Sequence, residues 1–123
     1  MNRSTARISF DLKRYRIYIH RKMLAYFNNP PYIEFLYEEE RKILAIVGRT
    51  EKTPNSYAIS KRFYTDKSVD CVISRKAFAE ALRLRLGWEE NELYKCEGSY
   101  SPEVGMVVFE LTQAKKFCPE ADS

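Results

Sequence analysis

The sequence predicts a mainly β protein with short helices, folded into a single small barrel-like domain. Short apolar runs that alternate with polar residues recur along the chain, as in RISFDL (7–12) and YIEFLY (32–37), and a period of two is typical of half-buried strands. Helical spacing is confined to two short segments, which begin near residues 20 and 75. The same order of elements, a strand, a short helix and a hairpin, is predicted twice. We therefore expect one barrel assembled from two strand–helix–hairpin repeats.

Chain length and composition support a single domain. The chain has 123 residues, of which 45% are hydrophobic and 31% charged, which suffices for one core but not for two large ones. No apolar run approaches the roughly 20 residues that span a bilayer, and the first ten residues lack the apolar region of a secretory signal. Three widely spaced cysteines form neither a disulfide framework nor a zinc-type pattern. These features favour a reducing, cytoplasmic setting.

The first repeat begins with two predicted strands. RISFDL places Ile8 and Phe10 on one face, and YRIYI (15–19) alternates in the same way. The intervening Lys13 and Arg14 predict a turn.

A short helix is expected to begin at His20, whose side chain we expect to cap it. Met23, Leu24 and Phe27 then share one side of the helix. The sequence Asn-Asn-Pro-Pro at 28–31 ends it, because proline lacks the amide donor and restricts the residue before it.

The first hairpin and a polar segment follow. YIEFLY and ILAIV (43–47) predict two strands, joined by the short charged sequence at 38–42. Residues 49–68 are polar and weakly periodic, which indicates a linker, with a strand near 57–63.

The second repeat starts with a predicted strand at 70–73. Ser74 is a candidate N-cap, because its hydroxyl can accept a hydrogen bond from an unpaired amide of the first turn. A helix over 75–86 is expected to end at Gly87, where a left-handed residue is favoured. One stripe of this helix is predicted to carry Phe78, Ala81, Leu82 and Leu86.

A second hairpin is predicted from ELYKCEG (92–98) and GMVVFEL (105–111), and the remaining tail is expected to fray. The predicted organisation is a first repeat with a basic N-terminal strand, a linker, a second repeat and a flexible tail, which together make one domain. The boundaries are 1–48, 49–68, 69–111 and 112–123.

One short match supports the duplication. VISRKAF (72–78) and YIHRKML (18–24) both read as a strand ending in Ile, one polar residue, Arg-Lys and two apolar residues. Ile19 falls on Ile73 at an offset of 54 residues. Self-similarity at such a period is the mark of a repeated structural unit.

The first copy, YRIYIHRKMLAYF followed by PPYIEFLYEEERKILAIV, resembles the half-barrel of AbrB-type transition-state regulators. In that family two halves exchange hairpins and close a small barrel, normally as a homodimer that binds DNA and regulates transcription. The resemblance covers residues 7–48 well and 69–111 more loosely. It implies a swapped-hairpin pseudo-dimer within one chain.

The sequence departs from the family pattern at several positions. Arg16 matches the family's strand arginine, which contributes to DNA contact. Tyr15 stands where the family usually has Gly, and His20 where it usually has Pro. The paired arginines of the family's helix fall on Leu24–Ala25, and Asp70 takes the place of Arg16 in the second copy. The resemblance therefore carries over DNA contact only at Arg16.

The charge distribution predicts an anionic partner. Residues 1–24 carry a net charge of +6 and residues 49–76 of +4, whereas 25–48 and 77–123 carry −2 and −4. Such asymmetry suggests a basic face that binds nucleic acid, double-stranded DNA first. The predicted centre is a single exposed surface of Arg14, Arg16, Arg21 and Lys22, and the second patch is Lys61, Arg62, Arg75 and Lys76.

A different class of function fits the same basic face. A protein-interaction module, such as a mobile-element or phage-like inhibitor, would also present exposed cations to a partner. The chain is expected to be a monomer with internal pseudo-symmetry or a homodimer, without a membrane partner.

The sequence offers no catalytic pattern. With His20 as the single histidine, Ser-His-Asp and Cys-His arrangements are disfavoured. No Gly-rich phosphate loop occurs, and Glu38–Glu40 read as a solvated turn rather than a metal site. Trp88 is interpreted as a core or interface anchor. We therefore expect no enzyme, no cofactor and no metal.

Overall fold

The computed structural model describes residues 5–68 and 71–117. It is mainly β, with 44% strand and 23% helix. The strands of the described residues are β1 (Thr5–Asp11), β2 (Arg16–Ile19), β3 (Tyr32–Glu38), β4 (Ile43–Arg49), β5 (Ser56–Ala58), β6 (Cys71–Ser74), β7 (Leu93–Ser101), β8 (Met106–Glu110) and β9 (Lys115–Phe117). The α-helices are α1 (Arg21–Tyr26), α2 (Lys61–Thr65) and α3 (Lys76–Leu86), and Leu111–Gln113 form one turn of 3-10 helix.

The strands form a small, nearly closed barrel. Their order is β5-β3-β4-β8-β7-β1-β2-β6, with antiparallel pairing throughout, and β9 adds to β7 beside this path. The end strands β5 and β6 approach each other. The guanidinium of Arg75, the residue after β6, lies 4.8 Å from the ring centroid of Tyr57 in β5. A cleft of about 440 Å³ lies along this seam. The mainly β, barrel-like fold predicted from the sequence is therefore confirmed.

The barrel interior follows the alternation of the strands. In β1, Ile8 and Phe10 are almost fully buried, while Arg7 and Ser9 point outward. Trp88 is buried and lies with its ring centroid 5.2 Å from that of Phe10. The prediction that Trp88 anchors the core is confirmed.

The first helix begins and ends as the sequence predicts. The Nδ1 atom of His20 accepts a hydrogen bond of 3.2 Å from the Lys22 amide, which caps the first turn. Met23 and Leu24 are fully buried. Asn28 adopts a positive φ of 59° directly after the helix, a conformation that asparagine tolerates better than most residues.

The segment predicted to be the second repeat differs from the prediction at the start of its helix. The Ser74 N-cap prediction is wrong, because β6 continues through Ser74 and Arg75 occupies the cap position without a side-chain cap hydrogen bond. Pairing with Arg16 in β2 holds Ser74 in the ladder. The predicted end is confirmed, since Gly87 adopts a left-handed φ of 68°.

Two segments contain more structure than the sequence predicts. The polar segment 49–68 contains β5 and α2, and Phe63 of α2 is buried. The strand predicted near 57–63 is wrong beyond Ala58, because β5 ends there and α2 begins at Lys61. The prediction of a frayed tail is wrong for 112–117, because β9 pairs with β7 and places Lys115 opposite Lys95. Residues 118–123 lie outside the described ranges.

Candidate nucleic-acid interface

Antiparallel pairing of β2 with β6 determines where the eight predicted cations lie. Arg16 is opposite Ser74, and Ile19, at the other end of β2, is opposite Cys71. Three strand steps of about 3.3 Å put about 10 Å between the two ends of β2. One end carries a set that we call the turn cluster, Arg14, Arg16, Arg75 and Lys76. Beyond the other end, at the starts of α1 and α2, lies the helix cluster, Arg21, Lys22, Lys61 and Arg62.

The four cations predicted to form one surface, Arg14, Arg16, Arg21 and Lys22, lie at the two ends of β2. Arg14 lies in the turn before β2 rather than on a strand face. Arg21 lies beyond the far end of β2. The four residues are divided between two clusters.

The turn cluster is built on a tight connection between β1 and β2. The Asp11 carboxylate accepts hydrogen bonds from the Lys13 and Arg14 amides at 3.0 and 3.2 Å, and it pairs with the Arg14 guanidinium at 3.2 Å. Tyr15 completes the turn at a positive φ of 57°. The Nζ atom of Lys76 lies 5.3 Å from the centroid of the Tyr15 ring, which brings the start of α3 against this turn.

Arg16 is the member of the turn cluster that lies in strand β2. It is exposed because Ile17 and Ile19 alternate with it and fill the core. Arg14 is 57% exposed, so its ion pair with Asp11 contributes about 0–1 kcal/mol and can give way to another anion.

In the helix cluster, Arg21 has a structural role. Its guanidinium lies 4.1 Å from the centroid of the Phe63 ring and donates hydrogen bonds to the carbonyl oxygens of Phe63 at 2.6 Å and Asp66 at 3.4 Å. These contacts attach α2 to the start of α1. The prediction of Arg21 as an exposed phosphate contact is thus wrong.

The other members of the helix cluster face solvent. Lys22 and Lys61 are exposed. Arg62 is 75% exposed and lies 3.9 Å from the Asp66 carboxylate. This cluster therefore offers three accessible cations rather than four.

A concave basic surface lies beside these clusters, on the outward face of the barrel. We call it the basic groove; it has a volume of about 970 Å³. Its floor is formed by outward positions of β9, β7, β1 and β2, and its wall by the starts of α1 and α2 with the segment after α2. Within the described part of the chain its charged lining consists of Arg7, Arg21, Lys67, Lys95, Lys115 and Lys116, with Glu97 as the carboxylate.

Strand pairing aligns the groove floor in one row. Lys115 is opposite Lys95, Lys95 is opposite Ser9, and Ser9 is opposite Tyr18. Arg16 lies two residues from Tyr18 on the same face of β2. The groove therefore adjoins the turn cluster.

Sequence reasoning missed most of the groove. Lys95, Lys115 and Lys116 belong to residues 77–123. Because that segment has a net charge of −4, it was not predicted to contain a basic surface. The available signal is local: KKF carries two adjacent lysines beside an aromatic residue.

The buried cysteines are unsuited to nucleophilic chemistry at neutral pH. Cys71 and Cys96 are free thiols, and burial raises the pKa of each to about 11. Within residues 5–68 and 71–117, no group of three or more His, Cys, Asp or Glu side chains is arranged to hold a metal ion.

Comparison with protein-family models, with curated proteins and with solved structures found no match to this chain. In the described ranges, no helix is long and apolar enough to cross a membrane.

Proposed function

We propose that the protein binds double-stranded DNA as a regulator of transcription, contacting phosphates through the turn cluster and the exposed part of the helix cluster. The observation that carries this proposal is the turn cluster: Lys76 lies 5.3 Å from the ring of Tyr15, which is next to Arg14 and Arg16 in sequence, and Arg16 is opposite Ser74, the residue before Arg75. Contacts of this kind position a protein on the duplex without reading its sequence.

We further propose that the barrel is an AbrB-type swapped-hairpin pseudo-dimer in one chain. The pairing registers support this. A twofold axis that crosses an antiparallel ladder must pair equivalent residues where it passes. The sequence match at an offset of 54 makes Tyr18 equivalent to Val72, and these two residues are partners in the β2–β6 ladder.

A second ladder supports the same axis. The hairpin turns close at Glu38–Ile43 and at Ser101–Met106, which gives the hairpins an offset of 63 residues. This offset makes Ala45 equivalent to Val108, and they too are partners, in the β4–β8 ladder. The larger offset reflects mainly the longer α3.

The exchange of strands between halves agrees with this proposal. β1 of the first repeat pairs with β7 of the second, and β5, from the segment between the repeats, pairs with β3 of the first. The pseudo-twofold relation makes Arg75 and Lys76 equivalent to Arg21 and Lys22. Asp70, the equivalent of Arg16, lies outside the described residues.

A salt titration of duplex binding tests the function. Each cation that neutralises a phosphate contributes about 0.9 to the slope of log affinity against log salt on B-DNA. Replacing Arg14 and Arg16 with Gln should flatten that slope by nearly two units between about 50 and 200 mM salt. The matched control is Arg41→Gln with Arg85→Gln, which removes the same charge from exposed sites outside both clusters and outside the cleft that Arg75 lines.

The control should keep the wild-type slope. If the wild-type protein has no affinity for any duplex even at low salt, the regulator proposal fails and the protein-interaction module becomes the better account.

A further inference from the structure

We propose that the basic groove is a second site, which binds a segment of single-stranded nucleic acid independently of the duplex surface. Its size suits such a ligand, because clefts that hold small molecules have volumes of about 300–1,000 Å³. At about 970 Å³ the groove lies at the upper end of that range and accommodates more than one nucleotide unit.

The charge of the groove favours a polyanion. Arg21 is engaged by Phe63 and Asp66, and Lys116 pairs with Glu89 at 2.9 Å. Arg7 lies 3.7 Å from Glu97, but both side chains are more than 70% exposed, so this pair is weak. The cations that remain to bind phosphate are Arg7, Lys67, Lys95 and Lys115.

Two of these cations face each other across neighbouring strands. Lys95 and Lys115 are directly opposite each other on neighbouring strands, and both are exposed. Like charges at such positions destabilise a sheet. A local rule broken in this way is expected at a functional site, and a phosphate between the two ammonium groups would remove the repulsion.

Aromatic side chains in the groove indicate a ligand that carries bases as well as negative charge. Tyr18 is half-buried in the groove floor, between Ser9 and Val72. Phe117 is half-buried in β9, and the Nζ atom of Lys95 lies 3.9 Å from the centroid of its ring. Rings interleaved with cations are the pattern that binds unpaired bases, which stack on the rings while the backbone follows the charges. Paired bases in a duplex are not available for such stacking.

The test compares three probes on the full chain by fluorescence anisotropy and competition: an oligo-dT strand of about 12 nucleotides, a hairpin duplex and inorganic polyphosphate, which has no bases. We expect Tyr18→Ala to weaken oligo-dT binding by about fivefold to 150-fold. The same variant should leave the affinities for polyphosphate and for the duplex unchanged.

A second variant keeps the test decisive if Tyr18→Ala does not fold. Lys95→Gln with Lys115→Gln should flatten the salt slope for oligo-dT by about 1.4 units, at about 0.7 for each phosphate contact with a single strand. Arg41→Gln with Arg85→Gln again serves as the control of equal charge.

Three outcomes would overturn the proposal: oligo-dT binding unaffected by both groove variants, an equal loss of oligo-dT and polyphosphate in Tyr18→Ala, or full displacement of oligo-dT by micromolar thymidine monophosphate. The wild-type affinity for the hairpin duplex, measured in the same series, reports separately on the proposed regulator function.

Discussion

Arg21 and Lys22 follow one another at the start of α1, yet their side chains lie in different surroundings. Arg21 donates hydrogen bonds to two carbonyl oxygens of the α2 region, whereas the Lys22 side chain is exposed. We expect Arg21→Ala to lower the free energy of unfolding by about 1.5–3 kcal/mol, the usual contribution of hydrogen bonds to a charged group. Urea denaturation would measure it.

Lys22→Ala is the matched control for that experiment. It should change stability by no more than about 0.5 kcal/mol, because its side chain is exposed. It should instead flatten the salt slope of duplex binding by about 0.9. Equal stability losses in the two variants would contradict the structural role of Arg21.

Cys71 and Cys96 give a prediction about pH. Burial raises the pKa of each thiol from an ordinary value of 9.0 to about 11. Their contribution to stability is therefore complete below pH 9 and is lost as the pH rises through about 11. We expect the free energy of unfolding to fall over this interval, and to fall less in a variant with all three cysteines replaced by Ser.

The triple Cys→Ser variant should also keep a cooperative unfolding transition, with some loss of stability where Cys96 packs. Complete unfolding of this variant would instead indicate a cross-link or a metal. Native thiols that react with a disulfide reagent as fast as the denatured chain would contradict the burial.

At the residue scale, the sequence predicts which side chains are exposed better than it predicts which residues they contact. Arg16 and Lys22 are exposed as expected, since each lies at a polar position beside a buried residue. The role of Arg21 was not predictable, because its partners Phe63 and Asp66 lie 42 and 45 residues further along the chain.

In the β7–β8 hairpin, the packing around Gly98 leaves no space for a side chain. A Cβ atom at Gly98 would overlap the Val108 carbonyl oxygen and lie 2.6 Å from the Cδ1 atom of Phe109. We expect Gly98→Ala to destabilise the protein by about 1–3 kcal/mol, because neither the backbone nor a fully buried ring can easily move. Thermal denaturation would measure the effect.

Ser99→Ala, one residue further along the same strand, is the control, since Ser99 is exposed. It should change stability by no more than about 0.5 kcal/mol. A Gly98→Ala variant as stable as this control would show that the hairpin is packed differently.

Among the elements, those with clear periodicity were predictable and the shortest were not. β1, β3 and α1 contain enough residues to show a period of two or 3.6. β5 and β9 have three residues each, too few to display a period, and they form because β3 and β7 offer them an edge.

For the whole molecule, three of the ladders that build the barrel join residues 1–49 to residues 50–123. β1 pairs with β7, β2 with β6, and β4 with β8, so residues 1–49 leave most of their strand edges open when the rest is removed. We expect a fragment of residues 1–49 to be unfolded or self-associated, and to regain a cooperative transition when mixed with residues 50–123. A fragment that folds as a monomer would contradict the exchange of strands. Circular dichroism and analytical ultracentrifugation distinguish these states.

The same ladders explain which features of the whole molecule could be predicted from the sequence. The mainly β fold follows from local patterns. The basic groove does not, because β9, β7, β1 and β2 bring Lys115, Lys95 and Tyr18 together from distant parts of the chain.

The central claim is that the cations around the β2–β6 ladder bind duplex phosphates, and amide chemical-shift mapping tests it most directly. On titration with a short DNA duplex at low salt, we expect the largest shifts at the β1–β2 turn, at Arg16 and at the start of α3, with reversal as salt is raised. Shifts confined to β4 and β8, which lie farthest from the β2–β6 ladder in the strand order of the nearly closed barrel, or no shifts at all, would contradict the account.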